Sequence, residues 1–367
     1  MNILFKQLAD SIKHLSGDRI VGSFKTALAS LIGIRIGEIF HLAMPQWILI
    51  TIVVIMATNI RIGGAIRKSY FRLLGTIIGA FLAGIALFFI GNHSNIIHFI
   101  LILLIGVFAY LASSSTDIAQ FGLLGATTMI MILDIQAPTL KTAVDRTLEI
   151  FLGILIAILV SRFVFPRHAK KLLRVSITNT LHQFQALFEF FVTKELTFDS
   201  VTEKEKIENT VMSEILKQST LLQEAINEDH RVKKKRFIYQ AIFLLERKLL
   251  RSIYMLLQTI LAESAQKILT FFQNNELSEL YRLILDLFNF LSALSSQQTP
   301  TITLLPKEEI YALINKIIKI LLQSKGGAYR IINVHAFEFC LEYLVGVLYE
   351  LEKYLRQLNS KEYLAEH

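Results

Sequence analysis

Arg35 and Glu38 stand three residues apart in an otherwise apolar stretch, residues 24–41. That spacing puts both on one helical face. A charge near the centre of a bilayer costs about 2.5–3.5 kcal/mol even on the lenient insertion scale. Two charges there are held either by each other, as a salt bridge toward the outer end, or by a wet interior that carries a solute or a proton. Both readings stand. Arg72 and Arg146 open two further apolar stretches, 73–90 and 148–165. An arginine at a helix N-terminus, where the dipole already favours anions, can grip a carboxylate through two parallel hydrogen bonds. The competing roles are contact with lipid phosphate for Arg72 and pairing with Asp145 for Arg146. Thr76, Thr127 and Thr128 offer hydroxyls to a solute, or bond a carbonyl of their own helix. For proton coupling the titratable candidates are Glu38 first and Asp134 second.

These residues need elements to position them, and the hydropathy supplies six. Apolar runs cover 24–41, 45–58, 73–90, 96–112, 118–133 and 148–165. The chain is 53% hydrophobic with a mean hydropathy of +0.50, above the roughly 45–50% of soluble proteins. Most of the glycine lies before Pro166 and most of the charge after it. The fold class expected is all-α, with a six-span transmembrane domain at 23–166 followed by a soluble cytoplasmic helical bundle at 167–367. Residues 1–22 alternate apolar and charged side chains, which suits an amphipathic helix on a membrane surface or a plain surface helix. They lack the uninterrupted apolar core of a cleavable signal, so the first span is expected to be retained. Gly75, Gly79 and Gly153 are expected at close helix contacts, because small residues four apart let helices approach within lipid.

Orientation follows from the basic residues. The connection before the third run holds Arg61, Arg67, Lys68 and Arg72 with no acid, and the exit from the sixth holds Arg162, Arg167, Lys170, Lys171 and Arg174. Both fall on one side, which the positive-inside rule assigns to the cytoplasm, with both termini. A faint internal repeat relates Met56-x-x-Asn59-Ile60 to Met131-x-x-Asp134-Ile135. It continues from Arg72-x-Leu74-x-x-x-Ile78-Gly79 to Arg146-x-Leu148-x-x-x-Leu152-Gly153. Three spans per unit make the second copy inverted, a 3+3 plan in which short segments such as the second and fifth runs point to the solute site.

Several function classes fall away. The net charge of +8 gathers beside apolar runs, so it reads as membrane-orienting charge and not as a nucleic-acid footprint. A single cysteine, Cys340, excludes an internal disulfide framework. There is no phosphate-binding Gly-x4-Gly-Lys-Ser/Thr loop, no nucleophile elbow and no clustered metal ligands. The chain is read as a non-enzyme without a cofactor or metal. The basic segment 229–236 is a solvated helix start, or alternatively a contact for anionic headgroups.

The block Pro45-Gln46-Trp47-Ile48-Leu49-Ile50-Thr51, with Arg72-Leu73-Leu74-Gly75-Thr76-Ile77-Ile78-Gly79 and Arg146-x-x-Glu149-x-x-x-Gly153, resembles the fusaric-acid-resistance and aromatic-acid-exporter superfamily, related to plant aluminium-activated malate transporters. The resemblance covers about residues 24–170. It implies secondary, not ATP-driven, efflux of small organic anions such as aromatic carboxylates across a bacterial inner membrane. It also implies lipid contact, a homo-oligomer and room for an accessory efflux subunit. Two departures stand out: many relatives carry two membrane blocks where this chain has one, and Asn59 stands where many have proline. The other class kept open is a membrane scaffold whose helical bundle binds a partner.

Overall fold

The computed structural model describes residues 17–57, 61–90, 94–114, 118–133, 140–193, 198–261, 275–323 and 328–360. Among these it holds thirteen helices and no strand. They fall into two compact units, Met1–Ala169 and Lys170–His367. Residues 1–16, Asn59, residues 91–93 of the turn after the third run, Asp134 and the 325–327 break lie outside the described residues.

The first unit contains α1 (Gly17–Ile39), α2 (Gln46–Met56), α3 (Ile62–Ile90), α4 (Ser94–Ala112), α5 (Ile118–Leu133) and α6 (Leu140–Phe163). Three of them are long and apolar enough to cross a membrane, over Arg19–Ile39, Ile62–Phe89 and Asn95–Ala112. Helix α2 has 11 residues and α5 has 16. At 1.5 Å per residue these reach roughly 16 and 24 Å, short of a hydrocarbon core of about 30 Å. Helix α6 has 24 residues and carries Lys141, Asp145, Arg146 and Glu149 in its first ten.

Two expected connections are helical instead. Arg67, Lys68 and Arg72 do not sit in a loop: α3 starts at Ile62 and runs unbroken for 29 residues. No proline interrupts Ile62–Arg72, and about three turns of basic, half-apolar helix merge with the span. Likewise α6 starts at Leu140, inside the stretch read as a link. Arg72 is thus ten residues, and Arg146 six, beyond the start of its helix. The unpaired amides of a helix lie within its first turn, so neither arginine draws on a helix N-terminus.

Helix α3 packs closely on α5 and α6, α4 on α5, and α2 on α6, while α1 leans on α2 and α6. Close approach at these crossings depends on missing side chains. A Cβ on Gly79 would lie 2.6 Å from the Gly125 carbonyl oxygen, and one on Gly75 would lie 2.6 Å from that of Phe121. A Cβ on Gly153 would lie 2.7 Å from the Thr51 Cβ and 2.9 Å from the Ile48 carbonyl oxygen. The apolar core divides in two. Ile48, Ile52, Ile55, Ile150, Ile154 and Ala157 fill the α2–α6 side, and Ala83, Phe108, Met129 and Ile132 fill the α3–α4–α5 side. The outer faces of α3 and α4 stay apolar, with Phe81, Phe88, Phe89, Phe99, Ile102 and Tyr110 all more than half exposed, the kind of surface that marks contact with lipid or a partner.

The second unit contains α7 (Ala169–Thr193), α8 (Phe198–Glu228), α9 (His230–Lys234), α10 (Arg236–Leu261), α11 (Asn275–Ser295), α12 (Lys307–Gln323) and α13 (Ala328–Asn359). Helix α13 packs on α10, α11 and α12. Its C-terminal carbonyls are held by Lys235 Nζ, which donates to Leu358 and Ser360, each at 2.8 Å. Lys235 is buried, so the basic segment is not wholly solvated. Asp229 caps α9 by accepting from the Arg231 amide and pairs with Lys170 at 2.8 Å.

A polar network ties α7, α8 and α10 inside this unit. Gln218 Nε2 donates to Thr180 Oγ1 and to Glu246 Oε1, both at 3.1 Å, and all three residues are fully buried. Desolvation, reinforced by Glu214, pushes the Glu246 carboxyl well above its ordinary value of 4.5, against the pull of Gln218 and Arg247. The folded chain therefore keeps a proton that the unfolded chain releases above about 4.5. The stabilisation is complete below that value and is lost as pH rises through the folded pKa. Glu246→Gln is expected to raise the melting temperature more at about pH 8 than at about pH 5. Equal shifts at both would contradict this assignment.

Candidate functional site

The first unit buries charge where an apolar core would be simpler. On α6, Arg146 and Glu149 lie one turn apart and are 6% and 1% exposed. The Arg146 guanidinium lies over the Trp47 ring at 4.3 Å from its centroid. Among the described residues its hydrogen bonds go to the sulfurs of Met131 and Met44 and not to Asp145. Thioethers are weak acceptors, and the Arg146 Nε has no partner among the described residues. Glu149 accepts from the Met44 amide at 2.6 Å, placing a carboxylate at the entry to α2, where Pro45 leaves the helix without a side-chain cap. Its other oxygen and the Trp47 indole nitrogen are also unpartnered among the described residues.

One turn along α2 from Trp47, about 6 Å by helix rise, Thr51 accepts from Arg72 Nη2 at 3.1 Å. Arg72 is 2% exposed, and its Nε has no partner among the described residues. One turn on along α3, Thr76 is fully buried with its hydroxyl equally unpartnered. Taking an ion out of water costs several kcal/mol even after relaxation. The two arginines share one buried carboxylate within electrostatic reach of Arg146, one hydroxyl, two sulfurs and a ring face, and the Nε of each has no partner among the described residues. Across the α2–α6 crossing, Thr51 meets Gly153 and Trp47 meets Arg146. The glycine lets the two helices meet, and the arginines flank that seam.

A third buried cation was not legible as a candidate. Lys25 on α1 is 2% exposed, its Nζ unpartnered among the described residues, with Arg167 within electrostatic reach. A lone lysine in the apolar window 20–34 was its only signal. Trp47, Thr51 and Glu149 were also not singled out for the site, because their partners lie up to 105 residues away.

The other expected candidates fall elsewhere. Thr127 and Thr128 donate to the Leu123 and Leu124 carbonyls at 2.6 and 2.7 Å, so their hydroxyls are spent within α5. Arg35 and Glu38 pair with each other at 3.1 Å, with side chains 71% and 59% exposed. Each charge is thus answered by the other on the open face of α1, away from the buried arginines. Glu38→Gln is thus expected to leave export within about twofold of the parent, and a complete loss of flux in that variant would place the pair in the pathway after all.

Residues 19–298 match the model of the Fusaric acid resistance protein family. The chain belongs to this family. The match reaches well past the expected limit near residue 170, so the family region runs through α11. Named relatives include the p-hydroxybenzoic acid efflux pump subunit AaeB of Escherichia coli strain K12, 29% identical over 173 residues. The same subunit from strain HS and from Edwardsiella ictaluri is 28% identical over 173 and 158 residues. These alignments cover 40–44% of this chain and 24–26% of the relatives. The chain thus spans about a quarter of their length. Family membership and the apolar outer faces of α3 and α4 together make this a membrane protein.

Proposed function

We propose that the chain exports small aromatic carboxylates across a bacterial inner membrane by a secondary mechanism. The observation that carries this is the seam of Arg146, Trp47 and Glu149 with Arg72 and Thr51: two buried guanidinium groups for one buried carboxylate, the Nε of each without a partner among the described residues, set against an indole face. A carboxylate would take the unpaired N–H groups bidentately, and the ring of the same solute would lie against Trp47. The relatives' name, a p-hydroxybenzoic acid efflux pump subunit, is of the same chemical class and leaves room for an accessory subunit.

The path is read with both termini in the cytoplasm and six crossings, α2 and α5 being the short ones. Packing supports the inverted repeat. Exchanging α1, α2 and α3 with α4, α5 and α6 maps the α2–α6 contact onto α5–α3, α1–α2 onto α4–α5, and α1–α6 onto α4–α3. Gly79 meets α5 at Gly125 as Gly153 meets α2 between Ile48 and Thr51. The copies differ where Gly75 corresponds to Glu149, and that difference gives the site its carboxylate. Lys25 with Arg167, then Arg72, then Arg146 make a ladder of cations from the inner side outward. The described helices beyond residue 167 are read as a soluble cytoplasmic bundle, and copies of the chain are read as assembling in the membrane.

Cells with and without the protein, loaded with aromatic and aliphatic acids, test the reading. Faster loss of 4-hydroxybenzoate than of an aliphatic acid of equal charge is expected, and equal retention of every acid would overturn it.

A further inference from the structure

A cavity of about 260 Å³ opens among α10, α12 and α13, far in sequence from the membrane seam. Residue 346 makes it possible by being glycine: a Cβ there would lie 3.3 Å from the Tyr311 hydroxyl and 3.9 Å from Lys307 Nζ. The Tyr311 hydroxyl donates to the Glu342 carbonyl at 3.1 Å, which fixes its ring, and Lys307 Nζ lies 4.9 Å from that ring's centroid. On the α13 side, Phe339 and Tyr343 stack with centroids 6.1 Å apart and planes at 12°. Phe339 is 58% exposed, although α13 buries every leucine and valine from Val334 to Leu358.

Lys248 and Glu350 complete the lining. Two ammonium groups, two carboxylates and three aromatic rings thus converge on a space smaller than the roughly 300–1,000 Å³ of drug-sized sites. That size admits one ring. The rings offer stacking, the lysines take an anion, and the glutamates accept from a hydroxyl or amino group. An apolar ligand would make no use of the charged groups, and a simple anion would leave the stacked rings unused. We propose that this cavity binds a monocyclic aromatic acid carrying a hydroxyl or amino group, as a ligand sensed by the second unit and separate from the transported one. The class follows from the lining, and its identity with the cargo rests on the export reading above.

The test uses the full chain in detergent with Arg146→Gln silencing the membrane seam, and 4-hydroxybenzoate as the probe in equilibrium dialysis. Saturable binding is expected, with 4-hydroxycyclohexanecarboxylate about tenfold weaker for want of ring stacking. Adding Gly346→Val should weaken 4-hydroxybenzoate by about tenfold or more at an unchanged melting temperature, and Lys307→Gln serves the same purpose if the valine variant misfolds. No binding to the Arg146→Gln chain, or binding untouched by both substitutions, overturns the proposal. Export is read separately in liposomes. Flux without this binding leaves the export reading intact, and binding without flux leaves this proposal intact.

Discussion

Arg146→Gln is expected to lower export of 4-hydroxybenzoate by about 10- to 100-fold, the kinetic equivalent of losing one charge-assisted contact worth about 1.5–3 kcal/mol. The substitution keeps a polar side chain of similar reach but removes the positive charge and the fork that matches a carboxylate. It also leaves Glu149 buried without its neighbouring cation, so the single variant should be less stable as well. Adding Glu149→Gln separates the two effects. The double variant should recover melting temperature, because a neutral amide replaces an uncompensated charge, and should remain inactive. Arg146→Lys, which keeps the charge and loses the fork, should fall between. Initial rates from preloaded cells, with melting curves of the purified variants, check all three. Export restored by the double variant would assign Arg146 a purely structural role.

Gly79→Leu and Gly153→Leu are expected to prevent a stable first unit. At Gly79 even a Cβ meets the Gly125 backbone at 2.6 Å, and at Gly153 it meets Thr51 at 2.7 Å and the Ile48 carbonyl at 2.9 Å. Backbone cannot swing aside as a side chain can, so the helices must separate. Overpacking usually costs about 1–3 kcal/mol, and a pair of separated helices also loses the contacts of the residues above and below. Gly106→Leu is the control: it sits in an equally apolar helix with nothing within 4 Å of its Cβ, so it should change the melting temperature little. Retained folding in the Gly79 and Gly153 variants would mean that these crossings are looser than described.

The all-helical class and the two-part character of the chain could be read from hydropathy, because six apolar runs precede Pro166 and periodic, charged helices follow it. Element ends were less legible. The Arg61–Arg72 stretch has the composition of a cytoplasmic loop, and nothing in its local sequence signals that the helix continues through it; α3 shows that charge and helix are compatible where a span leaves the bilayer. The buried arginines were visible as residue types, but their surroundings were not. Which side chains face Arg146 depends on how α2 crosses α6, and that is set by Gly153 against Thr51. Thr127 and Thr128 illustrate the reverse: their types allowed solute contact or a bond within their own helix, and the carbonyls four residues back take both hydroxyl protons.

The most direct measurement is flux of 4-hydroxybenzoate through the purified chain in sealed liposomes under an imposed potential. An anion gains about 2.3 kcal/mol per charge for each 100 mV, so movement toward the positive side should be driven without nucleotide. The expected result is potential-dependent, saturable flux that benzoate inhibits and an aliphatic acid does not, and that Arg146→Gln removes. Flux that is absent, or that is the same in the parent and in Arg146→Gln, would contradict the account.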